Sequence, residues 1–244
     1  MLGVVIAVFT VAGMIKGMLG LGLPAVSMGL LSLWMSPFHA ASLLVLPSML
    51  TNFWQLFAEG GVLRLCKRFW SLILGIIVGA YWSIFPTLNH HDFPSEALLG
   101  SMLALYGLYG LYARQLPNFS KHEAYLSPIV GYLGGALTVA TGVVVIPVVP
   151  YLQSLQLKRD DLVQSLGLAF TVSTLCLALF LYHNPVDDFS VLNYLSWAAL
   201  LPAVLGMWLG TRLRHRIAEA KFRRLFFYGL CALGLYMLSG VFLK

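Results

Sequence analysis

Residues 2–35 read LGVVIAVFTVAGMIKGMLGLGLPAVSMGLLSLWM, and Lys16 is the one charge among them. As a single straight helix this stretch would measure about 51 Å, against a bilayer hydrocarbon core of about 30 Å. It is too long for one crossing, and its middle holds Gly17, Gly20, Gly22 and Pro24. Glycine admits backbone angles closed to other residues, and proline suits the first turn of a helix, where its missing N–H is not needed. The stretch therefore predicts a hairpin that turns at residues 17–23 and starts back at Pro24. Residues 124–157 pose the same problem: they are uncharged, equally long, and carry glycine and proline in the middle.

The rest of the chain fits the same solvent. Of 244 residues, 59% are hydrophobic and 10% charged, where a soluble domain has roughly 45–50% and about 25%. Residues 69–89, 97–113, 162–186, 189–211 and 225–243 contain no Asp, Glu, Lys or Arg. In hydrocarbon every backbone polar group needs an internal partner, so these stretches should be helical, and no strand alternation suggests a barrel. The first segment lacks a basic start and runs on into apolar sequence, unlike a cleaved signal peptide. The net charge of +6 comes from residues beside spans and is no nucleic-acid footprint. Cys66, Cys176 and Cys231 have no metal-like spacing. His90-His91-Asp92 reads as a solvated turn more than a metal site. Trp34, Trp54, Trp70, Trp82, Trp197 and Trp208 fall near span ends, as interface anchors do.

Lysine and arginine decide between topologies. If each long region crosses once, the flanking basic residues divide six against eight. If each returns to the side it came from, Arg64, Lys67, Arg68, Arg114, Lys121, Lys158, Arg159, Arg212, Arg214, Arg216, Lys221, Arg223 and Arg224 share one side and only Lys244 faces them. The positive-inside rule selects the second arrangement. It places both termini outside a multi-pass protein of the cell inner membrane. The chain then reads as an all-α integral membrane protein built from two inverted-topology repeats. Each repeat is a broken or re-entrant helical hairpin followed by three transmembrane helices. The first repeat is 1–113, with its hairpin at 2–35 and spans at 41–58, 69–88 and 96–113. The second is 124–244, with its hairpin at 124–157 and spans at 162–182, 190–211 and 223–243. Gly13, Gly17 and Gly20 match Gly131, Gly135 and Thr138 at an offset of 118, and Thr51 matches Thr174 after a five-residue slip. Gly75-x-x-x-Gly79 matches Gly206-x-x-x-Gly210 further on. Inverted repeats with helices broken at mid-depth are a recurring transporter plan.

With these residues in view, the sequence resembles the TauE/SafE family of sulfite and organosulfonate exporters, also called TSUP. The resemblance rests on two glycine-rich signatures. The first is Gly13-Met-Ile-Lys-Gly17-Met-Leu-Gly20-Leu-Gly22-Leu-Pro24. The second is Gly131-Tyr-Leu-Gly-Gly135-Ala-Leu-Thr138-Val-Ala-Thr141-Gly142, followed by Pro147. Thr138, Ala140 and Thr141 stand where glycines are expected. The resemblance implies movement of sulfite, a sulfonate or another small anion.

The residues themselves suggest how an anion would be held. The helix that starts at Pro24 presents free N–H groups and the positive end of its dipole, which bind an anion without a cationic side chain. The candidate substrate-binding residues are Lys16, Gly17, Gly20, Gly22 and Pro24 at the first tip, Thr138, Thr141 and Gly142 at the second, and Asn52 and Thr171 on the spans that follow. Gly75, Gly79, Gly206 and Gly210 read instead as helix-packing positions. Two readings of Lys16 stand side by side: a deep cation that attracts the anion, or an interfacial charge that obeys the positive-inside rule. Gln55, Gln164 and Thr174 read as interhelical hydrogen bonders, and Glu59 as an interfacial charge. No Gly-rich Lys-Ser/Thr loop is present for ATP, so any coupling comes from a proton or sodium gradient. No cofactor is implied. An intramembrane enzyme lacks its motifs, and a non-transporting membrane subunit would have a dry core. The partners expected are the lipid bilayer and a small anionic substrate.

Overall fold

The computed structural model describes residues 1–58, 60–90, 94–112, 117–186, 193–214 and 219–242. Glu59, His91, Asp92, Arg114, Arg216 and Lys244 lie outside the described residues. The chain is all helical, with no β-strand among the described residues. Helices α1 (Leu2–Leu19) and α2 (Leu23–Leu31) are followed by α3 (Pro37–Phe57), α4 (Val62–Arg68), α5 (Trp70–Tyr81) and α6 (Ser95–Tyr112). A 3-10 turn at Ser120–His122 leads into α7 (Glu123–Thr141) and α8 (Val145–Ser154), and α9 (Arg159–His183), α10 (Tyr194–Leu213) and α11 (Glu219–Phe242) complete the order. Segments Leu2–Leu19, Pro37–Phe57, Ser120–Thr141, Arg159–His183 and Tyr194–Leu213 are each long and apolar enough to cross a bilayer. The protein is an all-α integral membrane protein.

Both long apolar regions are interrupted. The first breaks between Leu19 and Leu23, where Gly20 and Gly22 take φ of 75° and 100°. That left-handed backbone excludes most side chains, and Pro24 then sits in the first turn of α2. The second breaks at Gly142, whose φ is 76°. The two breaks close their helices alike: Gly20 N–H donates to Lys16 O and Gly142 N–H to Thr138 O, each at 2.7 Å. Residues 69–88, read as a span, are helical only to Tyr81. Beyond it the chain turns and docks on α7, where Leu88 N–H donates to Val139 O at 2.9 Å.

Four helix pairs dominate the packing: α1 with α10, α5 with α7, α6 with α11, and α3 with α9. The first two are sealed by glycine. A Cβ at Gly13 or Gly17 would come within 2.2 Å of Ala203 O or 2.1 Å of Met207 O, and one at Gly206 or Gly210 would strike Thr10 O or Met14 O. On the other pair, Gly75 and Gly79 face Pro128 O and Tyr132 O, while Gly131 and Gly135 face Leu72 O and Ile76 O. Lipid offers no hydrophobic drive for helices to associate, so backbone-to-backbone approach supplies van der Waals contact instead.

One face of the bundle carries the basic helix ends. There Arg68 makes a two-pronged ion pair with Glu123, with N···O distances of 2.8 and 2.7 Å, and Arg64 pairs with Asp161. The hydrogen bond it donates to Glu123 holds the Arg68 pKa above its ordinary range. All six tryptophans are more than half exposed, as amphipathic rings at a lipid–water boundary would be.

Candidate functional site

Lys16 stands in the last turn of α1 and is 2% exposed. Its position follows from its neighbours. Gly13 and Gly17 draw that turn against α10, and the glycine break directly after it leaves room for α3 to approach. Lys16 Nζ donates to Thr51 Oγ1 at 3.0 Å and to Asn52 Oδ1. Thr51 can accept because its own hydroxyl donates to Pro47 O at 2.8 Å. Asn52 passes the connection on, with Nδ2 donating to Thr174 Oγ1 on α9 at 3.2 Å. A polar thread therefore runs from α1 through α3 to α9, and all four side chains are buried. Lys16 is therefore enclosed by the protein and bonded to neutral partners.

The thread opens to a cavity at its Lys16 end, and Thr174 at the other end borders only a small void. On the basic face a cavity of about 520 Å³ reaches in as far as Lys16, Gly17, Gly20 and Gln55, with Arg159, Arg214 and Arg223 nearer its mouth. Gln55 clasps the first tip: its Nε2 donates to Gly20 O at 3.0 Å and to Val163 O at 2.9 Å. Its buried Oε1 has no hydrogen-bond partner among the described residues. On the opposite face a second cavity of about 560 Å³ is lined by Ser83, Thr87, His90, His183 and Asn184. Its floor includes Ala80 and Cys176, which pack with Val139 of α7 into an apolar cluster.

Between the cavities lies a void of about 10 Å³, lined by Pro24, Thr138, Gly142 and Thr174 among others. That is about the space of one water and too little for an oxyanion. The two tips thus face each other across α3 and α9. Met28 of α2 lies so close that a Cβ at Gly142 would meet its Cε at 2.7 Å.

The candidate residues divide by where the fold puts them. Lys16, Gly17 and Gly20 line the basic-face cavity, and Asn52 is bonded to Lys16. Gly17 also seals α1 on α10. Pro24, Thr138 and Gly142 share the small void, and Gly22 packs on Phe226, 3.0 Å from where its Cβ would be. Helix α2 leaves the N–H groups of Leu23 and Ala25 without intrahelical partners. Thr141 and Thr171 line none of these spaces; each donates its hydroxyl to its own helix at 2.7 Å, to Leu137 O and Gly167 O. Thr174, one turn beyond Thr171, is the residue that reaches Asn52. Sequence reasoning passed over Thr51, Arg159, Arg214 and Arg223 as site residues. The signal available for Thr51 was its place beside Asn52 and its match to Thr174.

Of the comparisons with known proteins, one finds a match. The profile of the family described as Sulfite exporter TauE/SafE matches residues 5–237. No curated protein sequence and no solved structure shows a match to the chain.

Proposed function

The chain belongs to the TauE/SafE family of sulfite exporters, and from that premise we propose that this membrane protein exports a small anion, sulfite or an organosulfonate, by alternating access. The observation that carries the proposal is Lys16, a buried amine with neutral partners on the wall of a cavity that Arg159, Arg214 and Arg223 also line. Arg159, Arg214 and Arg223 raise the local concentration of anions. Lys16, beside the tip at Gly20, then meets the anion where water is scarce. A non-transporting scaffold has no use for a buried lysine between two cavities.

The inverted repeat organises the cycle. We take residues 1–113 and 124–244 as halves related by a two-fold axis in the membrane plane. The helix pairs support this. Exchanging the halves turns α1–α10 into α7–α5 and returns α3–α9 and α6–α11 to themselves, and all four pairs are packed. The basic face is then cytoplasmic, both termini lie outside, and the membrane is the cell inner membrane. The cavity reaching Lys16 is the cytoplasmic access, and the Ala80–Val139–Cys176 cluster closes the outer one. Thr138 and Gly142 of the second tip complete the site when the outer path opens.

The test is sulfite flux from proteoliposomes of purified protein, with sulfate, thiosulfate and taurine as alternatives. Wild-type protein moves sulfite or a sulfonate, and Lys16→Met, checked to be folded and monodisperse, slows flux by about tenfold or more, the worth of a charge-assisted bond. No flux of any of these solutes by the wild type would refute the proposal.

A further inference from the structure

The transport proposal gives Lys16 an anion to hold; its hydrogen-bond count carries a second assignment that rests on that proposal. Lys16 Nζ has two acceptors, Thr51 Oγ1 and Asn52 Oδ1, and both are neutral. Both are also pinned: Thr51 by its bond to Pro47 O and Asn52 by its bond to Thr174. Among the described residues no carboxylate pairs with Lys16. The ionisable groups around the same cavity are Arg159 and Asp160 on α9, Tyr109 on α6, Arg214 at the end of α10 and Arg223 on α11. Helix α2 has no ionisable side chain, and that of α3, His39, stands at its far end. Three cations against one acid disfavour a further positive charge.

A neutral amine keeps two hydrogens, as many as the two acceptors take. An ammonium group has a third. With no anion in the cavity, that third hydrogen has at most water and the charge behind it has no counter-charge, and an uncompensated buried charge is disfavoured. With an anion in the cavity that Lys16 lines, both are satisfied. The empty site suits a neutral lysine and the occupied site a charged one.

We infer that Lys16 binds one proton as the anion binds and gives it up as the anion leaves, so that anion and proton cross together. The proton comes from water in the cavity, adds to the lone pair of Nζ, and returns to water on the side of release. A monovalent anion then crosses with no net charge. The lysine carries the proton itself, and Asn52 and Thr51 hold its nitrogen in place in both states.

Titration calorimetry with sulfite, in two buffers of unequal ionisation heat between about pH 7 and about pH 10, counts protons taken up per anion. Lys16→Arg, which stays charged throughout, is the comparison, and subtracting it removes any proton that sulfite binds on its own. Wild type is expected to take up about one proton more per sulfite than the variant, and its affinity to fall about tenfold per pH unit toward the top of the range. Equal uptake, with sulfite bound by both proteins, overturns the proton and leaves the anion site standing. If Lys16→Arg fails to fold or to bind, wild type decides alone, and an affinity that stays flat to about pH 10 overturns the inference. A wild type with no affinity for sulfite removes this inference along with the transport proposal for sulfite.

Discussion

Lys16, Asn52 and Thr174 form a thread in which each bond orients the next, so the three positions should not respond alike. Asn52→Leu removes an acceptor from Lys16 and a donor from Thr174, and leaves a buried amine with one partner. A loss of about 1–3 kcal/mol is expected, together with a fall in sulfite flux. Thr174→Val removes one neutral interhelical bond, worth about 0.6 kcal/mol on average in membranes. Thr171→Val removes a bond within its own helix and should leave flux at the wild-type level. Detergent melting curves and proteoliposome flux on the three variants check the order, and a Thr171→Val variant as impaired as Asn52→Leu would contradict it. At this scale the sequence was partly legible. Asn52 was marked, with Gln55, by being an amide in an apolar span. Thr171 and Thr174 lie three residues apart on one helical stripe, and only the crossing of α3 over α9 decides which of them meets Asn52. Lys16 was visible as an expensive residue, but its depth depends on where α1 ends, and that is set by tertiary packing.

Helices α5 and α7 are held by contact between backbones, whereas α4 is tied to α7 by exposed charge. The two should differ sharply under substitution. A Cβ at Gly79 would lie 1.9 Å from Tyr132 O, and a carbonyl in a packed helix cannot swing aside. Gly79→Ala is expected to destabilise by about 1–3 kcal/mol or more. Arg68→Ala breaks a pair whose arginine side chain is 40% exposed, and should cost at most about 1 kcal/mol. Thermal melts of the two variants in one detergent measure the contrast; equal shifts would show that the glycine contact gives way more easily than its geometry implies. The helix breaks were legible from sequence because Gly20, Gly22 and Pro24 each carry a backbone constraint that no tertiary contact is needed to read. The shortness of α5 was not legible. Residues 82–88 carry no charge, as a span would, yet they leave the helix and bond back onto α7.

For the whole molecule, the basic residues predict which face meets the cytoplasm, and the expectation is open to direct measurement. In a variant lacking Cys66, Cys176 and Cys231, His90→Cys should react with a membrane-impermeant maleimide in intact cells. Ser120→Cys should react only after the cells are opened. The reverse pattern would turn the protein over and make the Lys16 cavity the outer one. Charge counting could rank the two topologies because it needs only the sequence positions of fourteen flanking cations. It could not show that the cavities stop short of each other, since that depends on side chains from α3, α5, α7 and α9 that come together only on folding.

The glycine seals join α1 to α10 and α5 to α7, so each seal takes one helix from before the central loop and one from after it. Neither portion of the chain keeps its own first long helix beside its own last ones. This has a consequence for inheritance. A glycine lost from one portion is felt by a carbonyl in the other, so the two must change in step. A chain assembled this way drifts as a single pedigree, and a portion borrowed from a distant relative would arrive with ridges cut for a different set of grooves.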